Sequence, residues 1–161
     1  MKVLFLDFDG VLNHEAYLDD LLRRLGEHHG QDALMLDTAT IERLNRIVEL
    51  SGCEVVISSS WRHAHRRVAL VRLLRSRGFE GEIAGVTPTT ARKEGGRFLG
   101  SSRGAEIQVW LDEHPAVESF AILDDNDDME HLSPRLIQTT FTHGLREEHV
   151  ELVVAMLNRP S

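Results

Sequence analysis

The sequence predicts an α/β fold, a doubly wound, Rossmann-like parallel sheet of about five strands with helices on both faces. Short apolar runs alternate along the chain with longer segments in which apolar residues recur at helical spacing. Three of the apolar runs end in clusters of acidic or hydroxyl side chains. Ligands of doubly wound sheets bind at the carboxyl ends of the strands, so these clusters mark one edge of the sheet as the functional edge.

The first strand is predicted at residues 3–6, which form an uninterrupted apolar run. Such a run is typical of a strand that is covered on both faces, and we therefore expect it at the centre of the sheet. Gly10 marks the turn that follows. The next periodic segment predicts a helix over residues 40–50, and Ser51 and Gly52 supply its end.

The rest of the chain continues this alternation of strands and helices. One segment, rich in Gly and Ser, shows little periodicity, which predicts an irregular loop. The predicted elements are, in chain order, a strand at 55–57, a helix at 68–74 ended by Gly78, a weak strand at 83–86, the irregular loop at 87–102, a helix at 103–113, a strand at 120–123, a weak strand at 136–139 and a helix at 147–157.

Residues 14–37 are polar and irregular apart from a cluster of leucines over residues 18–25, which can form a short helix. The segment directly follows the first acidic cluster, so we expect it to overhang the functional edge as a flap. With 161 residues in all, the chain has the size of one domain with one core, and residues 1–161 are predicted to form a single domain.

Composition and charge argue against several classes of function. The net charge of −8 argues against broad, sequence-independent nucleic-acid binding, which depends on a positive surface. Cys53 is the only cysteine, so no intrachain disulfide can form, and we expect a cytoplasmic location. The apolar run at residues 3–6 is too short for a signal peptide or a membrane span, and we expect no membrane association.

Two acidic clusters follow apolar strands. Asp7 and Asp9 are two residues apart, so in an extended chain both carboxylates face the same side at the end of the first strand. Their repulsion has to be offset by a cation or by a raised pKa. Asp124 and Asp125 follow the strand at 120–123. Together with Asp7, this second pair offers an oxygen-only ligand set of the kind that Mg²⁺ prefers.

A hydroxyl donor and a basic side chain would complete a site for a tetrahedral dianion. Ser58 follows the second predicted strand and can donate a hydrogen bond to a phosphoryl oxygen. The serines at 58–60 can also serve only to cap the helix that follows. A Lys or Arg side chain can neutralise the charge that develops during phosphoryl transfer.

These motifs resemble those of the haloacid dehalogenase (HAD) superfamily of phosphatases that use an aspartate nucleophile. Residues 7–12, Asp-Phe-Asp-Gly-Val-Leu, are similar to the first family motif, and residues 55–58 to the second. Residues 123–125 are similar to the acidic fourth motif. The motifs occur in the family's order over roughly three quarters of the chain. The short spacing between them implies a capless member, without a large cap domain.

The resemblance implies a role for each acidic residue. Asp7 would be the nucleophile that forms an aspartyl-phosphate, and Asp9 would protonate the leaving oxygen and then deprotonate the attacking water. Mg²⁺ would bind the carboxylates of Asp7 and of one or both of Asp124 and Asp125, together with the backbone carbonyl of Asp9. Asp128 is an alternative ligand, because a fourth motif with this spacing is also common in the family.

The basic residue of the third motif has three candidates. Arg103 opens the helix at 103–113, where the family usually places this cation, and it is therefore favoured. Lys93 and Arg92, in the preceding loop, are the alternatives.

A narrower resemblance links the chain to HAD domains of RNA-repair and polynucleotide-end-processing proteins. It rests on residues 58–62, Ser-Ser-Ser-Trp-Arg, and on the pattern Arg-x-x-Glu-Ile-x-x-Trp-Leu that begins at Arg103. Under this resemblance Trp61 can stack on a base. Packing against the protein core is the favoured alternative for both Trp61 and Trp110.

Three residues are assigned to substrate binding: Gly10, Ser59 and Arg62, of which Arg62 would contact a phosphate. The implied partner is a phosphorylated substrate, either a small molecule or a nucleic-acid end. The resemblance thus implies a Mg²⁺-dependent phosphomonoesterase with an aspartyl-phosphate intermediate, with nucleotides or nucleic-acid ends as candidate substrates.

Two other classes of protein use similar residues without turnover. A receiver-like regulatory module accepts a phosphoryl group on an aspartate and shares the α/β architecture and the acidic cluster. In such modules the paired acids come early and the acceptor follows an internal strand, whereas here the order is reversed and Asp9 is present to support turnover. The second alternative is an inactive relative that is kept as an interaction scaffold.

Overall fold

A sheet of five parallel strands forms the centre of the fold. The structure is a computed structural model that describes residues 1–27, 31–90, 92–95 and 97–159, with only the backbone described at 92–94 and 97–99. The strands of this sheet are β1 (Lys2–Leu6), β2 (Glu54–Ile57), β3 (Ile83–Val86), β6 (Ser119–Asp124) and β7 (Leu136–Gln138). They lie in the order β3-β2-β1-β6-β7, with β1 at the centre as predicted.

Helices cover both faces of this sheet. The described helices are α1 (Glu15–Leu25), α2 (Thr38–Ser51), α3 (Arg67–Ser76), α4 (Arg103–Glu113) and α5 (Glu147–Leu157). Buried residues of α2, α3 and α5 pack on one face of the sheet, and those of α4 pack on the other. This confirms the predicted doubly wound α/β class, and the described residues contain no large cap domain.

The central strand β1 is apolar on both faces because both are covered. Leu4 and Leu6 point into the core beneath α2, α3 and α5, whereas Val3 and Phe5 point into the core beneath α4. On the α4 side the ring of Phe5 meets the ring of Trp110 edge-on, with 5.4 Å between their centroids. Trp110 is therefore a packing residue, which is the role that the sequence favoured.

The strand register aligns four polar side chains in one row across the functional edge. The backbone N–H groups of Asp7, Ser58 and Thr87 continue the strand ladder, donating to the neighbouring strands at 3.0, 2.9 and 3.0 Å. Side chains in one row point to the same face, and Asp7 stands two residues beyond Phe5, which faces α4. Asp7, Ser58, Thr87 and Asp124 therefore all point to the face that α4 covers.

Element boundaries differ from the predicted ones by a few residues. α2 begins at Thr38 rather than at residue 40, because Asp37 caps the helix by accepting the backbone N–H of Ala39 at 2.9 Å. β6 extends to Asp124, so the first acid of the second cluster is still part of the strand. The helix expected within residues 14–37 is α1, and residues 28–30 of that segment lie outside the described part.

The prediction of an irregular loop at 87–102 is wrong in part. Strands β4 (Arg92–Glu94) and β5 (Arg97–Leu99) form an antiparallel hairpin. Glu94 pairs with Arg97, so the turn contains two residues, and Gly95 adopts the positive φ of 56° that such a turn requires. The strands have only three residues each, which is too few to show an alternating pattern in the sequence.

Gly104, in the first turn of α4, is expected to tolerate no side chain. A Cβ at this position would overlap the backbone carbonyl of Met129, which packs directly against the helix. Gly104→Ala should therefore destabilise the protein by about 1–3 kcal/mol, even though alanine favours helix. Gly100→Ala is the matched control, since a Cβ there meets nothing within 4 Å. Denaturant unfolding compares the two, and equal midpoints would show that α4 shifts to admit a methyl group.

Candidate active site

Three carboxylates meet at the ends of β1 and β6. Asp7, Asp124 and Asp125 each offer an oxygen atom, and these oxygens all lie within 4.8 Å of one another. Asp7 and Asp124 are buried, and Asp125 is partly exposed. Because β1 and β6 are neighbours in parallel register, the acids that follow the two apolar runs come together. The two acidic motifs therefore form one site.

Burial raises the pKa of all three carboxyl groups, and the charge of Asp7 raises it further at Asp124 and Asp125. For Asp7 the largest cause is burial, which outweighs the opposing effect of the Arg103 guanidinium. Burial, and next the charge of Asp7, raise the pKa of Asp124 to about 8. The same two causes raise the pKa of Asp125. Such a cluster retains protons near neutral pH unless a cation takes their place.

Arg103, the first residue of α4, reaches this cluster with its guanidinium. Its Nε lies 3.3 Å from Asp124 Oδ2, and its Nη2 lies 3.8 Å from Asp7 Oδ1. Its Nη1 is buried and has no hydrogen-bond partner among the described residues. A buried N–H group without a protein acceptor is available to a ligand oxygen. Arg103 therefore lies beside the carboxylates with one N–H group left for a ligand.

The cluster suits Mg²⁺. All three donors are carboxylate oxygens, which Mg²⁺ binds together with water molecules. Asp124 Oδ2 is buried, and although it lies 3.3 Å from Arg103 Nε it makes no hydrogen bond within the described part of the chain. Burying such an oxygen without a donor is costly, and a bound cation would offset that cost. These residues therefore fit the cation that the resemblance implies.

Ser58 and Thr87 contribute two buried hydroxyls to the row that contains Asp7. Neither hydroxyl has a hydrogen-bond partner among the residues described. Leaving a buried hydroxyl unsatisfied costs about 1–3 kcal/mol, so a ligand oxygen is an expected partner. Ser59 instead caps the turn that follows β2, accepting the backbone N–H of Trp61 at 3.3 Å. The substrate contact assigned to Ser59 stays a prediction.

The carboxylate of Asp9 accepts a hydrogen bond on each of its oxygens. The side-chain amide of Asn13 donates to Oδ1 at 2.9 Å, and the indole N–H of Trp61 donates to Oδ2 at 3.0 Å. Asn13 in turn accepts the backbone N–H of Gly10 at 3.0 Å. The two aspartates of the first motif thus have different partners: Asp7 lies beside Arg103 and two other carboxylates, and Asp9 accepts hydrogen bonds from two neutral donors.

Gly10 allows Asp125 to approach the loop after β1. A Cβ on Gly10 would overlap the Asp125 carboxylate, and the φ of 74° at this position also favours glycine. The carbonyl of Gly10 accepts the hydroxyl of Thr139 at 2.6 Å, which fixes the loop to the chain after β7. Gly10 therefore has a packing role, and its assignment to substrate binding stays a prediction.

Arg62 is enclosed by protein rather than open to solvent. Its guanidinium pairs with Glu106 on α4, and its Nη1 donates to the backbone carbonyls of Ser58 and Ser59, both at 2.8 Å. Only 5% of the Arg62 side chain is exposed. Arg62 thus joins the loop after β2 to α4. Its Nε is buried and has no hydrogen-bond partner among the described residues, so this N–H is the one left for a ligand oxygen. The contact between Arg62 and a substrate phosphate stays a prediction.

Asp128 is the alternative metal ligand, and Lys93 and Arg92 are the alternative basic residues. Asp128 Oδ2 accepts the backbone N–H of Arg103 at 3.0 Å and so supports the start of α4, and the Asp128 side chain is exposed. The side chains of Lys93 and Arg92 lie outside the described residues, so Arg103 is the one candidate cation that can be placed.

A cavity of about 310 Å³ opens beside Asp9. Trp61 and His65 from the turn after β2 form part of its wall, and Asp32 and Met35 from the predicted flap segment form another part. His65 Nε2 and Asp32 Oδ2 lie 3.1 Å apart and join the two segments. A larger cavity of about 640 Å³ lies between β7 and α5, and no residue of the candidate site lines it.

Comparison with known proteins identifies the family. A family model described as "HAD domain in Swiss Army Knife RNA repair proteins" matches residues 3–150. The chain belongs to this family. No curated protein and no solved structure shows a significant match. The match confirms both the HAD superfamily and the narrower resemblance to RNA-repair proteins.

Membership in this family makes the chain a HAD domain of the hydrolase superfamily, whose members generally use Mg²⁺. The matched range contains the whole acidic cluster, Ser58 and Arg103. Within the described residues, the HAD domain has no helix with the length and apolar character needed to span a membrane.

Sequence reasoning missed the partners of Asp9 and Arg62 in this HAD domain. Asp9 is held by Asn13 and Trp61, and Arg62 pairs with Glu106. Asn13 follows a glycine turn, where an Asn side chain often bonds to nearby backbone, and that signal could have drawn attention to it. The bond from Trp61 to Asp9 and the pair between Arg62 and Glu106 span 52 and 44 residues of sequence. Contacts at such separations leave no periodic pattern along the chain.

Asp124 should make the metal-free protein less stable as the pH rises. Its pKa is about 8 in the folded state against an ordinary value of 3.8, so between these values the folded protein holds a proton that the unfolded chain releases. The stability that this proton contributes is fully present below pH 3.8 and is lost as the pH rises through about 8.

Asp124→Asn removes this titration while keeping the shape of the side chain. In the presence of EDTA, the free energy of unfolding of the variant should fall less steeply between about pH 4 and pH 8 than that of the wild type. Urea unfolding at a series of pH values measures both curves. Parallel curves would contradict the raised pKa.

Proposed function

We propose that the protein is a Mg²⁺-dependent phosphomonoesterase that works through an aspartyl-phosphate on Asp7. The observation that carries the proposal is that Asp7, Arg103 and the acids at the end of β6 come together at one site. Asp9 lies two residues from Asp7 in the sequence and is held by two neutral hydrogen-bond donors. Membership in the HAD superfamily supports the same class of reaction. A phosphoaspartate module without turnover would have no need for a separately held Asp9.

In the first step, a carboxylate oxygen of Asp7 attacks the phosphorus atom, and the bond between phosphorus and the leaving oxygen breaks. Protonated Asp9 gives its proton to the leaving oxygen, so the product departs as a neutral alcohol. Arg103, through its unpartnered Nη1, and the hydroxyl of Ser58 stabilise the phosphoryl oxygens during the transfer.

In the second step, Asp9 is a carboxylate and accepts a proton from water. The water oxygen attacks the phosphorus atom, the bond from phosphorus to Asp7 breaks, and inorganic phosphate leaves while Asp9 is protonated again. Bound Mg²⁺ would neutralise negative charge on the phosphoryl group and the carboxylates. Asp7, Asp124 and Asp125 would hold it, and the backbone carbonyl of Asp9 is the further ligand that the resemblance implies.

Nucleotides or nucleic-acid ends are the substrate class that we propose. The family's occurrence in RNA-repair proteins supports this class, and the cavity beside Asp9 has room for a leaving group that contacts Trp61. The net charge of −8 favours contacts at a chain end over broad binding along a nucleic acid. The predicted substrate contacts of Gly10, Ser59 and Arg62 belong to this proposal.

The domain organisation in our proposal is one catalytic domain over residues 1–161, with residues 14–37 as a flap. The contact between Asp32 Oδ2 and His65 Nε2 supports the flap, because it links this segment to the turn after β2. We also propose a reducing, cytoplasmic location, supported by the free, buried thiol of Cys53.

Asp7→Asn should abolish the hydrolysis of 4-nitrophenyl phosphate in Mg²⁺, with a loss of at least about a thousandfold in kcat, because the amide cannot attack phosphorus. Asp127→Asn is the control, since Asp127 is an exposed acid next to the cluster and should keep wild-type turnover. Removing the metal with EDTA should also stop hydrolysis, and added Mg²⁺ should restore it. Turnover of the wild-type order in Asp7→Asn, or hydrolysis that EDTA leaves unchanged, would contradict the mechanism.

A substrate panel tests the proposed class. Oligonucleotides with a 3′-phosphate and with a 5′-phosphate are compared with mononucleotides and with sugar phosphates, at equal concentration and in Mg²⁺. We expect kcat/KM to be highest for a nucleotide or an oligonucleotide end. Turnover of sugar phosphates alone would refute the link to nucleic-acid repair.

A further inference from the structure

Trp61 contacts both the carboxylate of Asp9 and the cavity beside it. Its indole N–H donates to Asp9 Oδ2 at 3.0 Å, and its side chain lines the cavity of about 310 Å³ that opens beside Asp9. We propose that Trp61 is the positioning residue of Asp9: it holds the carboxyl group for proton transfer to a leaving group that sits in this cavity. The inference rests on the proposed function and goes beyond it by assigning this role to a residue outside the acidic motifs.

The pair of donors on Asp9 explains why an indole is suited to this task. Asn13 Nδ2 holds Oδ1 at 2.9 Å, and Trp61 Nε1 holds Oδ2 at 3.0 Å, so rotation of the carboxyl group is restrained from both sides. Both donors are neutral and stay protonated at all working pH values. They therefore orient Asp9 through hydrogen bonds alone, without an ion pair.

Trp61 is itself fixed from two directions. Its ring contacts the ring of Phe8, with 5.3 Å between the centroids and an interplanar angle of 68°. Phe8 is fully buried, and in the sequence it lies between Asp7 and Asp9. Its backbone N–H donates to the hydroxyl of Ser59, which caps the turn after β2. A side chain held in this way can keep its N–H in place while a ligand enters the cavity.

A leaving group in this cavity would contact both Trp61 and Asp9. Asp9 is the proposed donor of the proton to the leaving oxygen, and the cavity beside it is the space into which the remainder of that group can extend. Proper placement of a general acid contributes about a hundredfold or more to rate. The contribution is needed most when the leaving oxygen is a poor leaving group, such as an alkoxide, and least for a nitrophenolate.

Trp61→Phe tests the inference, because phenylalanine keeps an aromatic ring in the cavity wall and removes the N–H donor. The substrates are 4-nitrophenyl, phenyl and 2-phenylethyl phosphate, which share a six-membered ring and differ in how strongly the leaving oxygen needs a proton. We compare kcat/KM, because it reports the steps up to release of the leaving group, whereas kcat also includes the second step, in which Asp9 acts as a base on every substrate. We expect kcat/KM to fall by at least about tenfold for 2-phenylethyl phosphate. For 4-nitrophenyl phosphate we expect a much smaller fall, since this group leaves without protonation.

Trp110→Phe is the matched control. It makes the same substitution at the second of the two tryptophans, which packs against Phe5 in the core beneath α4. Its effect on kcat/KM should be equal for all three substrates. A loss of kcat/KM in Trp61→Phe that is also equal for all three would show a merely structural role and would overturn the inference.

A second measurement does not depend on the folding of Trp61→Phe. The two indole N–H signals are observed in ¹⁵N-labelled protein and assigned with Trp110→Phe. In Asp9→Ala the signal of Trp61 should move because its acceptor is gone, and the signal of Trp110 should not. A Trp61 signal that is unaffected by Asp9→Ala would also overturn the inference.

The outcomes separate this inference from the proposed function. If the wild type hydrolyses none of the three phosphates or the oligonucleotides of the panel, the proposed function fails and the inference fails with it. If the wild type is active and Asp7→Asn is not, while Trp61→Phe shows no dependence on the leaving group, the proposed function stands and only the role of Trp61 is refuted.

Discussion

Repulsion among Asp7, Asp124 and Asp125 is the constraint on which the rest of the site depends. The parallel register of β1 and β6 holds the first two acids side by side, and burial strengthens the repulsion by excluding water. Arg103 brings one positive charge to three carboxylates, which leaves the cluster short of positive charge. Protons can supply the difference, as the raised pKa of Asp124 indicates, and so can a divalent cation. The second possibility is the one that our proposed function uses.

Arg103 reaches this cluster because the start of α4 is held firmly in place. Asp128 accepts the backbone N–H of Arg103, and Gly104 brings the helix against the chain that follows β6. One turn later Glu106 pairs with Arg62, which in turn binds the backbone at the end of β2. The same helix thus carries core contacts along its length and the cation at its end. Packing beneath α4 and charge balance at the cluster are therefore linked.

Most of the fold and the acidic cluster could be predicted because the chain places each polar group directly after an apolar strand. Once the strands are parallel, the positions of Asp7, Ser58 and Asp124 at their ends are enough to bring them together. The hairpin at 92–99 could not be predicted, since its strands are too short to show a pattern. The positions of the Arg62 and Trp61 side chains could not be predicted either, because each depends on the geometry of one short turn and on a partner far away in sequence.

The pairing of β1 with β6 also determines when the site can assemble. Lys2 pairs with Ser119 and Leu6 with Leu123, so this contact closes a loop of more than a hundred residues. During synthesis the first strand emerges early and has only β2 and its own turn as partners until most of the chain has been made. One edge of β1 keeps its backbone N–H and C=O groups unpaired throughout that time, which exposes the nascent chain to aggregation until β6 arrives. The arrival of β6 closes that edge and brings Asp124 to Asp7, so the acidic cluster can form only when the sheet is complete.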